Sequence, residues 1–278
     1  MRNCILLIIL YVVHMPSAYS KETDIERARA IAEGRCILRG LVGSVVHGLS
    51  NPGTDDRDEM GVCVEPPEYV IGTRRFDHFV YRTRDEGEPS GPGDLDLTVY
   101  GLRKYMRLVL KGSPTALLLL FVPDEELVVS TPLGERLRAL APAFVCRRTG
   151  RAFLGYVDSQ RRGLLGGTGG TRTRELSREH GYDTKYAMHA LRIAHQGLEL
   201  LAGGRITLPV AEPARSELMA VRRGEVALDD VITRLHERIA QLERALATAD
   251  VPEEPDRDAA DRFLVEAHRE SWAQAQGG

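Results

Sequence analysis

Two apolar runs near the start of this chain, CILRGLV (36–42) and EMGVCV (59–64), read as buried strands. Between and beside them lie a Gly43-Ser44 turn and four acids, Asp55, Asp56, Asp58 and Glu59, with Arg57 the one cation among them. Like charges this close repel unless something positive joins them, and one arginine cannot balance four acids. The chain must therefore pack two strands while presenting carboxylates that require a positive partner. Residues two apart in an extended segment point the same way, so Asp56 and Asp58 present two carboxylates to one side. In DLDLTVY (94–100), Asp94 and Asp96 again share a face, and Leu95, Leu97 and Val99 share the other. A neighbouring strand would bring Asp96 beside the pair, with Asp94 its rival. Mg²⁺ or Mn²⁺ suits such a group, because these hard ions take oxygen ligands and keep positions open for phosphate oxygens. Asp-x-Asp alone is more often a solvated acidic turn. Here Gly43 lets backbone N–H groups approach a phosphate, and the Ser44 hydroxyl adds a donor.

The rest of the first half supports a mixed α/β unit. Asp24 can cap a helix over 25–33 that stops at Gly34. SVVHGL (44–49) reads as a short helical stretch. A polar Gly/Pro-rich loop is expected over 82–94, then a strand over 95–100. Leu102, Tyr105, Met106, Val109 and Leu110 lie on one helical face ended by Gly112, and Ser113-Pro114 opens a second, apolar helix. Beyond it, segments 131–142, 152–165, 183–203 and 227–248 read as helices, with a flexible basic loop over 166–174. Leu228, Ile232, Leu235, Ile239, Leu242 and Leu246 form an amphipathic seam. The tail is loose around Pro252–Pro255, and 259–272 can form a last helix. The expected fold is α+β: a small mixed sheet flanked by helices, then a mostly helical C-terminal domain. The boundaries are an apolar segment over 1–22, a core over 23–125 and a helical domain over 126–278.

The formal charge of −3 hides an uneven distribution. From Arg136 to Arg178 there are ten arginines, no lysine and two acids, a local charge of +8 that suits a polyanion such as triphosphate or nucleic acid, with a solvated arginine-rich face as the equal alternative. The four cysteines are widely spaced, without a zinc-ligand pattern, and fit reduced, mostly buried thiols. The first 20 residues resemble a signal peptide, with an early arginine, an apolar run over 4–13 and Ala18-Tyr19-Ser20. The run is too short for a membrane span; a buried strand or helix, or a start assigned too far upstream, are the rival readings. Chemistry on nucleotides favours the cytoplasm, with no stable membrane partner.

One helix carries a second set of candidates. Asp183 can cap 184–203, and Lys185, His189 and Arg192 then fall at i, i+4 and i+7 on one face. Opposite an acidic metal site, that stripe would bind triphosphate or steady the leaving pyrophosphate. Arg172 and Arg174 are secondary phosphate candidates. An ordinary solvated helix face and a packed histidine are the plainer alternatives.

GSVVHGLSNPGTDDRDEMGV (43–62) resembles the signature of the DNA polymerase β-like nucleotidyltransferase superfamily: a Gly-Ser turn, a short helix and two metal-binding aspartates opening the next strand. DLTVYGLRKYMRLVLKGSPTALLLLF and GYDTKYAMHALRIAHQGLELLAGGRITLP resemble a bacterial and phage branch of it, so the likeness covers most of 36–210. The resemblance implies that Gly43 and Ser44 hold the triphosphate and that Asp56 and Asp58 bind both catalytic metals. It makes Asp96 the third carboxylate and the base for the incoming hydroxyl. The expected activity is metal-dependent transfer of a nucleoside monophosphate from an NTP to an acceptor hydroxyl, with release of pyrophosphate. A non-catalytic nucleotide-binding regulatory module is the alternative. Val45, Val46 and His47 depart from the basic or aromatic residues common there. RNA, DNA, protein and small molecules all remain open as acceptors. The arginine-rich zone favours nucleic acid, although no aromatic-rich stacking surface is visible.

Overall fold

The computed structural model describes residues 18–50, 57–83, 93–166 and 171–275. The signal-like segment therefore lies outside the described residues up to residue 17, as does Asp56. Among the described residues, no helix is long and apolar enough to cross a membrane.

Helix α1 (Ala18–Gly34) precedes the antiparallel strands β1 (Cys36–Leu41) and β2 (Arg57–Cys63). The short helix α2 (Pro67–Val70) and strand β3 (His78–Arg82) lead to β4 (Leu95–Gly101), which runs parallel to β2. Helices α3 (Leu102–Leu110) and α4 (Pro114–Leu118) follow, then β5 (Leu127–Ser130) returns to the outer edge of β1. The five strands form one mixed sheet in the order β3-β4-β2-β1-β5. The fifth strand comes from just beyond residue 125, in a stretch expected to be helical territory. β3 also went unexpected.

The remaining chain is helical: α5 (Pro132–Ala139), α6 (Arg147–Gly166), α7 (Thr171–His180), α8 (Thr184–Gly203), α9 (Ala214–Arg222), α10 (Leu228–Thr248) and α11 (Arg257–Gln274). α7 occupies part of the expected flexible loop. The stretch over 252–255 is pinned rather than loose. Pro252 and Glu253 carbonyls accept from the N–H groups of Arg147 and Arg148 at 2.8 and 3.1 Å. These are first-turn donors of α6 with no partner inside their own helix.

Two apolar clusters flank the sheet. The smaller lies under α1, where Ile31 and Ala32 meet Cys63, Phe79, Leu97 and Val99. The larger covers the other face through Leu38, Val62, Leu102 and Met106 and continues into the helices through Phe153, Ile193, Leu235 and Leu242. This shared core fixes the helical half against the sheet. α8 lies at its centre. The Asp183 carboxylate accepts from the Tyr186 N–H at 2.9 Å, and Gly204 ends the helix at φ +69°. Leu235 and Leu242, from the expected seam of α10, are fully buried. The three described cysteines are free thiols, with Cys63 and Cys146 buried.

Candidate active site

A cleft of about 670 Å³ opens between the sheet and α8. Its lining includes Gly43, Ser44, Asp58, Asp96, Lys185, His189 and Arg192. All the described members of the sequence-derived set thus meet in one place.

The acidic wall is fixed by strand register. Asp58 of β2 stands directly opposite Asp96 of β4 in the parallel pair, so the two carboxylates are neighbours. Asp94 does not line the cleft; its Oδ1 accepts from Thr83 Oγ1 at 3.1 Å. Among the described residues no group of three His, Cys, Asp or Glu is arranged to hold a metal ion; the expected trio includes Asp56. Glu59 is buried and ion-paired with both Arg39 and Arg57. The one cation of the acidic segment is therefore engaged by Glu59. Arg82, across β4 from Asp96, places its Nε 3.7 Å from Asp96 Oδ1.

The Gly-Ser turn abuts this wall. A Cβ on Gly43 would lie 2.1 Å from Asp58 Oδ2 and 2.8 Å from Asp58 Cβ. Only glycine leaves room for that carboxylate. The expected helical stretch over 44–49 is instead a hydrogen-bonded turn, with Leu49 N–H donating to Ser44 O at 3.0 Å. Gly48, at φ +66°, takes a left-handed conformation that a right-handed helix cannot continue.

The basic wall is held by side chains. Lys185 is exposed, His189 is half-buried, and Arg192, His47 and Gln196 are buried. Arg192 Nη1 contacts His47 Nε2, and its Nη2 donates to His189 Nδ1 at 2.8 Å. Arginine can only donate, so both ring nitrogens accept. The imidazole protons then reside on His47 Nδ1, which faces the Gln196 side-chain amide at 3.3 Å and requires the amide oxygen to turn inward, and on His189 Nε2. The latter faces Tyr156 Oη at 3.3 Å. Burial, then Arg192 and Lys185, pulls the His189 pKa down to about 3. Burial, Arg192 and His189 hold His47 well below its ordinary value. Burial lowers Arg192 to about 10, which leaves it cationic at neutral pH. Two neutral imidazoles thus orient a buried positive charge without cancelling it.

Sequence reasoning missed Arg82, Tyr156, Gln196 and Arg222, which also line the cleft, and gave His47 no role. His47 lies inside the quoted motif, so its place was the available signal; the others carry none. The arginine-rich zone is corrected. Arg136 pairs with Glu266 and Glu270, Arg138 with Asp124 and Glu135, Arg147 and Arg151 with Glu253, Arg148 with Glu254, and Arg161 and Arg162 with Asp158. Seven of the ten arginines are thus ion-paired among the described residues, five of them with acids from distant segments, so over these seven the run reads as an acid-paired solvated face rather than a bare polyanion surface. The side chains of Arg172 and Arg174 lie outside the described residues.

A family model described as the RNA repair pathway DNA polymerase beta family matches residues 19–266. No curated protein matches the chain. One solved structure, of a nucleotidyltransferase-like protein from Exiguobacterium sibiricum 255-15, aligns at 14% identity and TM-score 0.30, over 90% of this chain and 79% of that one.

Proposed function

Because the chain belongs to the RNA repair pathway DNA polymerase beta family, we propose that it moves a nucleoside monophosphate from an NTP to a hydroxyl of an RNA, with divalent-metal assistance. The carrying observation is the direct pairing of Asp58 with Asp96 in a cleft that also holds Gly43, Ser44 and Arg192. Two carboxylates on adjacent strands offer hard oxygens fitted to Mg²⁺ or Mn²⁺, and Asp56 completes the set that the family signature implies. When bound, such an ion offsets the carboxylate repulsion and stabilises charge on phosphoryl oxygens.

Gly43 and Ser44 hold the triphosphate through backbone N–H and hydroxyl donors. Asp96 orients the acceptor hydroxyl and takes its proton. The acceptor oxygen bonds to the α-phosphorus while the bond to the bridging oxygen breaks, and that electron pair departs with pyrophosphate. Lys185 and Arg192 steady the departing charge. His47 and His189 remain neutral and keep the guanidinium aimed.

The test is incubation of the full chain and Mg²⁺ with each α-labelled NTP and RNA, DNA or protein acceptors. Label in RNA with matching pyrophosphate release is expected. NTP binding without label entering any acceptor would overturn the reading.

A further inference from the structure

The sheet brings more than carboxylates into the cleft. In the antiparallel pair β3–β4, Arg82 stands opposite Asp96, Val80 opposite Thr98, and His78 opposite Tyr100. Directly opposed residues share a sheet face, so these six form one strip. Tyr81, Phe79, Leu97 and Val99 belong to the other face, where the last three pack under α1. Arg82, Val80, Thr98 and Tyr100 line the cleft together with Asp58 and Asp96. The strip is open: His78 and Arg82 are exposed, Val80 is 45% exposed, and β3 is the sheet edge. At its far end the His78 and Tyr100 rings lie 6.0 Å apart between centroids, tilted by 54°. Four residues at about 3.3 Å each put that ring pair roughly 13 Å along β4 from Asp96.

The sheet order separates this strip from the Gly43-Ser44 turn proposed to hold the triphosphate. Gly43 and Ser44 follow β1, on one side of the carboxylates; the strip lies on the β3 side. In-line displacement needs the attacking and leaving oxygens on opposite sides of the α-phosphorus. An acceptor therefore enters over β3. Resting on the nucleotidyl-transfer reading, we propose that this strip is the track on which the 3′ end of a single-stranded RNA reaches Asp96. Arg82 meets a backbone phosphate near the terminal hydroxyl, and the His78–Tyr100 pair stacks a base further back. Aromatic rings suit unpaired bases, since every base has a π-face and a duplex buries it. Successive nucleotides of a stacked strand rise about 3.4 Å along its axis, and an unstacked strand spans more per nucleotide, so the base on the rings is at most about the fourth from the end.

The experiment is fluorescence anisotropy of the full chain with fluorescein-labelled single-stranded oligoribonucleotides of two, four and six residues. Tyr100→Leu keeps the apolar packing of a half-buried side chain, and His78→Ala changes an exposed one; melting temperatures verify both folds. Each variant should raise the Kd for the hexamer about 5- to 100-fold, whereas Tyr81→Ala, on the opposite face, should leave it unchanged. Wild-type affinity should rise from the dimer to the tetramer and little beyond. Variants that bind RNA like wild type, or that lose NTP affinity instead, would overturn the track. So would tighter binding of single-stranded DNA or duplex RNA. The two readings fail separately. Transfer to RNA that ignores both rings sinks only the track, and ring-dependent RNA binding without transfer sinks only the activity.

Discussion

On the sheet side of the cleft, Asp58 and Asp96 are neighbours because β2 and β4 run in parallel register. On the helical side, Arg192 keeps its place because His47 and His189 hold its terminal nitrogens. The acids are set by backbone, and the cation by other side chains. Isosteric loss of an acid should therefore abolish chemistry and leave the fold. Loss of the cation should disturb both, because a buried, hydrogen-bonded group leaves unsatisfied partners behind.

Four changes would break or sharpen that contrast. The largest effect belongs to Asp58→Asn, which should lower turnover about a thousandfold or more, since metal-held charge is worth several kcal/mol. Its melting temperature should match wild type, and a matched turnover would remove the acidic wall from the account. Gly43→Ala comes next. Its Cβ has no room beside Asp58 Oδ2, so the carboxylate must shift, and a 1 Å displacement can cost about a hundredfold. Steady-state rates with saturating NTP would measure it. Arg192→Lys should weaken inhibition by pyrophosphate about tenfold and also lower the melting temperature, because one ammonium cannot bridge both imidazoles. Loss of activity with an unchanged melting temperature would show that the two walls are held alike.

The smallest effect is on stability against pH. His189 titrates at about 3 in the fold and at about 6.5 when unfolded, so the unfolded chain binds more protons between those values. The stabilisation is complete above pH 6.5 and is lost as pH falls toward 3. His47 adds to it in the same direction. His189→Asn should flatten the melting-temperature profile between pH 6.5 and 4. Parallel profiles for variant and wild type would contradict the neutral-imidazole arrangement.

Local signals carried a good deal of this. The Asp183 cap and the seam of α10 are written in helix periodicity, and the motif over 43–62 announced a turn facing carboxylates. Long-range pairing was less legible. β3, with HFVYR and four of five residues exposed, lacks the alternation of a half-buried strand, and its place depends on β4. The ten-arginine run suited a polyanion in the sequence because several of its acidic partners, Asp124, Glu253, Glu254, Glu266 and Glu270, are distant in sequence. His47 was in plain view, but its role depends on an arginine 145 residues away. The reading of 44–49 as helical failed on Gly48, whose positive φ makes a turn.

The most direct test of the central claim is a crystal structure of the full chain with Mn²⁺ and a non-hydrolysable NTP, read by anomalous scattering. The account predicts a peak within about 2.2 Å of carboxylate oxygens from both Asp58 and Asp96, with the triphosphate on the Gly43 side. A peak bound elsewhere, or a triphosphate lying over β3, would contradict it.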